Sequence, residues 1–517
     1  MKKMAHMQVK TSVLVAVLLC GFVGRCCWAG EIPPIARDIV IYEGAPLVWT
    51  DKPQAFSGPW DLSAHGAIEI DLENTSTNDA VRLSVDFGAE GESRCRMTMI
   101  PPGFKGVIGI DVCPKIGHPE VAAQMKLMRT NPFMGGDRDR KYDPKRIPEL
   151  VLRHHWSGAS TAAHGKTPAV LIRRVVAKDT SKRKWPAWYE MTENEFFPFV
   201  DRYGQFKYRD WPRKVHGDAD LKAAANAEER DLKANPPSAD WDRYGGWAKG
   251  PRLEATGRFW LTKWEGKWWF VDPDGYLWWS HGVVRVSPSS AVTPLDGREK
   301  YFADLPTGVK SDPFAEFYHT NDELLKPYFD KRGWKRTYDF SAANLKRKYG
   351  DSWRTTYADV SHRRLRSWGL NTIANSSDRT IRLMNQTPWI ERLETRGPKC
   401  PEQKNEGWWW HVPDPFHPEF RRYLRSLLES RREELTSPWC VGVFVDNEHN
   451  WEGISEKTVR EYFKVVREEI KRLDPKLLYF GCRFAGCTER VVRLCAEYAD
   501  AVSYNPYRLR LDESERS

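Results

Sequence analysis

A β-sandwich followed by a TIM-type (β/α)8 barrel, incomplete at its carboxyl end, is the fold class this sequence predicts. Three observations predict it. Short segments of alternating polarity, separated by turn residues, fill the amino-terminal part. Continuous apolar runs alternate with amphipathic helical stretches in the later part, the pattern of parallel strands covered by helices. With 517 residues the chain is too long for one ordinary core, so several domains are expected.

Residues 30–180 make the sandwich or jelly roll. Ala67-Ile68-Glu69-Ile70-Asp71-Leu72 alternates, as does Val81-Arg82-Leu83-Ser84-Val85-Asp86-Phe87. Residues 106–112 and 170–176 add two short apolar strands, with Glu73-Asn74 and Pro101-Pro102-Gly103 as turns. Residues 131–148, rich in Gly, Asp and Arg, read as a long loop, and their acidic residues lack EF-hand spacing.

Residues 181–257 are polar and irregular and form a connecting segment packed on the next domain, with one helix over 218–233. A meander follows, with strands at 259–263, 267–271 and 276–280. Its tryptophans alternate at strand spacing, which favours sheet packing for most of them. Residues 258–517 then carry the barrel. Strands are expected at 279–286, 369–375, 388–390, 441–445, 477–480 and 501–504. Helices are expected at 342–348, 357–368, 418–435, 456–473 and 489–498. In two of these, Phe420, Leu424, Leu427 and Leu428, and Val459, Tyr462, Phe463, Val466 and Ile470, form single apolar faces.

Composition narrows the function. A 41% hydrophobic, 29% charged chain is not disordered. The net charge of +10 is dispersed and no nucleic-acid module is recognisable, so nucleic acid is not an expected partner. The 24 Trp, 19 Tyr and 22 Phe raise the expectation of sugar binding, because flat rings stack on the apolar faces of sugars, although burial accounts for most such rings.

Lys2, Lys3 and Lys10 precede an apolar stretch at 13–23, and Ala29 offers a cleavage point. Residues 1–29 therefore read as a secretory signal, and the mature protein as secreted or periplasmic. Leu18-Leu19 before Cys20 fits a lipoprotein anchor poorly, and no later run is apolar enough to span a membrane. Beyond the signal an odd number of cysteines remains, of which Cys95 and Cys113 could pair in an oxidising compartment. No Cys/His group has zinc spacing, so neither a metal nor an organic cofactor is expected.

Active sites of such barrels lie at the carboxyl ends of the strands. Asn447 and Glu448 follow 441–445, Asn375 follows the second strand and His281 lies in the first. Arg483 ends the 477 strand, Asn505 ends the last, and Trp410 and His411 lie in the loop before the 418 helix. Carboxyls for proton transfer, with amides and aromatics for hydroxyls and rings, are what glycoside hydrolysis needs. Each has a bland alternative. Glu448 could be an acid favoured by a helix start, and His411 and Arg483 loop anchors.

Four motifs carry a resemblance. They are Gly442-Val443-Phe444-Val445-Asp446-Asn447-Glu448, His411-Val412-Pro413-Asp414-Pro415-Phe416, Trp368-Gly369-Leu370-Asn371-Thr372-Ile373-Ala374-Asn375 and Tyr479-Phe480-Gly481-Cys482-Arg483-Phe484-Ala485. Residues 269–275 and 279–282 add to them. Together they resemble the β-agarases of glycoside hydrolase family 50, from about residue 190 onward and more weakly in the sandwich. The resemblance implies a carbohydrate-binding-module-like sandwich and a retaining barrel hydrolase acting on a poly- or oligosaccharide. It makes Glu448, preceded by Asn447 at the end of strand four, the general acid/base.

A retaining enzyme needs a second carboxylate ~5–5.5 Å from the first. In the clan of retaining barrel hydrolases to which that family belongs it stands at the end of strand seven, whereas six strands are counted before Ser517. The nucleophile is therefore expected beyond Ser517, and the chain to be an inactive or fragmentary barrel. The alternatives are a carbohydrate-binding protein without catalysis and a hydrolase of another β-glycan. Turnover of agarose, as against binding alone, separates the first of these from the β-agarase expectation.

Overall fold

The computed structural model describes residues 37–49, 52–77, 80–87, 96–111, 119–124, 145–155, 169–179, 186–306, 311–320, 333–395, 412–485 and 489–506. The signal segment, Cys95 and Cys113, Trp410 and His411, and most of the 131–148 loop lie outside these residues. The chain divides into two compact units between Phe196 and Phe197.

Among the described residues the first unit holds eight strands: β1 Ile39–Trp49, β2 Gln54–Trp60, β3 His65–Asn74, β4 Val81–Phe87, β5 Arg96–Ile100, β6 Lys105–Asp111, β7 Ile147–His155 and β8 Val170–Asp179. They form two four-stranded antiparallel sheets, ordered β1-β8-β3-β6 and β2-β7-β4-β5. Strand β3 shows why. Ile68, Ile70 and Leu72 are at most 1% exposed, and the acidic residues between them face outward. These side chains share one core with Leu83 and Val85 of β4 and Leu150 and Leu152 of β7. Burying each such side chain contributes ~1.5–3 kcal/mol. On the outer face Arg173 pairs with Glu73 and lies 3.7 Å from Asp71. The expected loop at 131–148 gives way to β7 at Ile147, because Leu150 and Leu152 are needed to cover β4.

The second unit begins with α1, Asp218–Ala234, and the meander β9 Trp260–Trp264, β10 Lys267–Val271 and β11 Leu277–Trp278. Trp278 is fully buried, but Trp268 and Trp279 are exposed. A small antiparallel sheet, ordered β13-β15-β14, follows from β13 Val292–Pro294, β14 Tyr318–Thr320 and β15 Arg336–Asp339. The helices α2 Phe340–Tyr349, α3 Trp353–Ser367, α4 Pro418–Ser430, α5 Glu456–Leu473 and α6 Glu489–Ala496 complete the list of longer elements.

Parallel strands lie between the helices: β12 Gly282–Val283, β16 Thr372–Ile373, β17 Trp389–Leu393 and β18 Cys440–Val445, side by side in that order. Parallel bridges from Val443 to Tyr479 and from Phe484 to Tyr504 continue the arrangement. Strand β18 is buried on both faces, as its unbroken apolar run requires. Gly442 is needed there: a Cβ would stand 2.7 Å from Leu478 O and 2.6 Å from the Phe480 ring. Helix α5 starts where Ser455 Oγ accepts from Thr458 N and buries Val459, Tyr462, Phe463, Val466 and Ile470.

Several expected elements are shorter. Of the expected 279–286 strand only Gly282–Val283 is regular strand, and the 477–480 and 501–504 segments carry single parallel bridges, at Tyr479 and Tyr504. The 418–435 helix breaks at Arg431, and α6 ends at Ala496. Among the described residues no helix is long and apolar enough to cross a membrane.

Candidate active site

Strand β18 delivers the chain into a sharp turn at its carboxyl end. Asp446 and Glu448 both take positive φ, 63° and 52°. Non-glycine residues hold that conformation only where neighbours impose it. Here Asp446 N donates to Leu393 O at 2.7 Å, Val445 N to Gly481 O at 3.0 Å and Glu448 N to Cys482 O at 3.0 Å. The acid-bearing turn is thus strung between the end of β17 and the segment after Tyr479.

Glu448 is half-buried and accepts through Oε1 from Asn505 Nδ2. Asn505 Oδ1 in turn accepts from Arg483 Nε at 3.2 Å and Nη2 at 3.0 Å. A guanidinium only donates, so Arg483 fixes which end of the Asn505 amide faces Glu448. Arg483 also lies 5.4 Å above the Phe444 ring, and its own φ is 57°. Asn505 N donates to Phe484 O at 2.7 Å, which places the amide.

Asn375 follows β16 at the same carboxyl edge of the parallel strands; it is 5% exposed and donates to Ser376 Oγ at 3.2 Å. Asn447, between the two left-handed residues, is half-buried. Thus Glu448, Asn447, Asn375, Arg483 and Asn505 all stand at one edge, and hydrogen bonds join Glu448, Asn505 and Arg483 directly.

His281 is not among them. It precedes the two-residue strand β12 rather than lying within it, so it sits at the amino edge, opposite Glu448. There it is exposed, its N donates to Asn371 Oδ1 at 2.9 Å, and its Nδ1 lies 3.2 Å from Gly369 O.

Asp446 stands two residues before Glu448 in the chain. It is 2% exposed, with Thr395 N donating to Oδ1 at 2.7 Å and Tyr462 OH to Oδ2 at 2.6 Å. Thr395 Oγ1 also donates to Oδ2. His449 Nε2 stands 3.0 Å from Oδ2. Burial pushes the Asp446 carboxyl up, but the His449 ring, Thr395 and Tyr462 outweigh it and hold the group below its ordinary range. An alternation signal could not have found this group, because Tyr462 reads simply as part of an apolar helix face. Among the described residues no cluster of three acidic, His or Cys side chains could hold a metal ion.

No protein-family model matches the chain. Two curated relatives do, both from Vibrio sp. (strain JT0107). β-Agarase B is 25% identical over 404 residues, covering 60% of this chain and 42% of that protein. β-Agarase A is 22% identical over 445 residues, covering 80% of this chain and 42% of that protein. The chain therefore spans less than half the length of either. Among solved structures, an agarase, AgWH50C, superposes with a TM-score of 0.64 at 24% identity, covering 88% of this chain and 75% of that one. PfGH50B gives 0.66 at 21% identity, covering 92% and 83%. At these identities the structures speak for the fold. In sequence motifs, curated relatives and architecture alike, the chain resembles the β-agarases of glycoside hydrolase family 50.

Proposed function

We propose that the chain is a secreted glycoside hydrolase of the β-agarase type, cleaving β-galactosidic bonds of agar or a related galactan with retention. Glu448 is its general acid/base. The observation that carries this is the Arg483–Asn505–Glu448 chain at the carboxyl edge of the parallel strands, which holds the Glu448 carboxyl in a fixed orientation. In this reading residues 1–29 are the signal peptide and residues 30–180 a carbohydrate-binding-module-like sandwich. Residues 181–257 connect it to a (β/α)8-type barrel from 258 onward, whose fourth strand is β18.

Asn447 and Asn375 meet sugar hydroxyls, and Trp410 and His411 contribute further substrate contacts. Arg483 and Asn505 serve Glu448 as well as substrate. Retention requires a second carboxylate opposite Glu448. Asp446 does not supply it, because its oxygens are buried and taken by Thr395 and Tyr462.

The test is incubation of the full chain and of Glu448→Gln with agarose and its oligosaccharides, reading new reducing ends and, by calorimetry, binding. Release by the wild type, with none from a Glu448→Gln variant that still binds, supports the reading. Equal release by both removes Glu448 from the chemistry. Failure of the wild type to bind any galactan removes the substrate class.

A further inference from the structure

A turn with two left-handed residues does not hold itself. In the 446–448 turn, backbone and side chain of one residue grip the same neighbour. Asp446 N donates to Leu393 O, and Asp446 Oδ1 accepts from Thr395 N two residues further on. This two-point attachment to the end of β17 fixes both the φ of Asp446 and the direction in which the chain leaves it. On the other side Tyr462, from the middle of α5, donates to Oδ2. His449, which follows Glu448, packs its ring edge-on against Tyr462 at 5.7 Å and against Trp451 at 5.6 Å. Glu448 is thus bracketed by two buried residues, each anchored to α5.

We propose that Asp446 is a positioning residue: gripped by Thr395 and Tyr462, its carboxylate holds the left-handed turn that aims Asn447 and Glu448, and it does not touch substrate. The inference rests on the reading of Glu448 as acid/base. Burial keeps Asp446 from any ligand, since it is 2% exposed. Its value to the site lies in geometry, because a proton donor displaced by a fraction of an ångström loses much of its effect. An isosteric amide at 446 would keep the volume and one acceptor for Thr395 N, but would put a donor where the carboxylate now accepts from the Thr395 and Tyr462 hydroxyls.

The test is a graded series in the full chain: Tyr462→Phe, Thr395→Val, Thr395→Ser and Asp446→Asn, with Glu448→Gln as control. Each is assayed on agarose oligosaccharides at a temperature where circular dichroism shows it folded. Tyr462→Phe and Thr395→Val should lower kcat about 3- to 10-fold, and Asp446→Asn on the order of 100-fold, with KM within about twofold. Thr395→Ser, which keeps the hydroxyl, should recover most of the loss seen in Thr395→Val.

If Asp446→Asn does not fold, the two single-bond variants carry the test. Folded variants with wild-type kcat, or a loss confined to KM, overturn the proposal. If those variants keep full turnover while Glu448→Gln has none, the positioning role alone fails. If Glu448→Gln turns over normally, the acid/base reading fails and this inference with it.

Discussion

The Asn505 side chain donates through Nδ2 to Glu448 Oε1, while Arg483 holds its Oδ1 from the other end at 3.0 Å. Neutral Asn505 thus separates a cation from the acid. Replacing it by alanine should lower kcat about 10- to 100-fold, a magnitude typical of lost general-acid efficiency. Asn505→Asp sets a like charge beside Glu448 and disfavours its ionised form, so the alkaline limb of the pH–rate profile should move to higher pH. An unmoved limb in Asn505→Asp, with full turnover in Asn505→Ala, would leave the contact without a role.

Gly442 should be intolerant of any side chain. The Cβ of Gly442→Ala would meet the carbonyl of Leu478 and the ring of Phe480, both inside normal contact distance. Overpacking of this kind costs about 1–3 kcal/mol, and urea melts of the variant should show it. A loss below about 0.5 kcal/mol would mean that the strand at Tyr479 moves freely away from β18.

Glu469 of α5 is 1% exposed and receives Arg425 at 2.8 Å, Arg472 at 3.0 Å and Arg421 at 3.0 Å. Burial pushes its carboxyl up, but the three guanidiniums outweigh it and bring it down to about 2. A depressed carboxylate stabilises the fold above its ordinary value of 4.5, and that contribution fades as pH falls towards 2. Glu469→Gln should therefore cost about 2–3 kcal/mol at neutral pH and progressively less below pH ~4. A variant penalty that does not change with pH would contradict this.

Asp272 has the opposite sign. It is fully buried, its Oδ1 accepts from Asp274 N and Tyr276 N at 3.0 Å, and a Cβ on Gly246 would stand 2.1 Å from its Oδ2. Burial raises the carboxyl and neighbouring Asp242 raises it further, against the pull of those two backbone donors. The result is about 7. The native chain then keeps a proton that the unfolded chain releases near 3.8, so this contribution to stability declines as pH rises from there through about 7. Asp272→Asn keeps the Oδ1 acceptor and should be more stable than wild type at pH 8, by ~1–2 kcal/mol, and equal to it near pH 4. Denaturant melts at the two pH values check this, and a variant less stable at pH 8 would contradict it.

The elements legible in the sequence are those whose signals agree at several levels. Helix α5 combines an apolar face, the Ser455 cap and a clear end, and its bounds coincide with the expected 456–473. Strand β18 stands out because every position is apolar or Gly442. The sheet of β13, β14 and β15 left no trace, since strands of three or four residues are too short to establish a period. His281 was expected in the first strand because 279–286 is continuously strand-like. The regular strand is Gly282–Val283, so His281, whose O accepts from Asn371 N and Thr372 N, stands at its amino end, away from Glu448. Asp446, Thr395 and Tyr462 are 51 and 16 residues apart in pairs, and only the fold reveals that they meet.

If Glu448 delivers a proton to the leaving group, the loss on replacing it depends on which group departs. Glu448→Ala should be assayed on an agarose oligosaccharide, whose departing sugar needs protonation, and on the matching nitrophenyl glycoside, whose departing phenolate does not. The proposed role predicts a loss of about 10²–10⁴-fold on the oligosaccharide and a far smaller loss of bond cleavage on the nitrophenyl substrate. Equal losses on both would contradict a proton-donating role and make Glu448 a structural or nucleophilic residue instead.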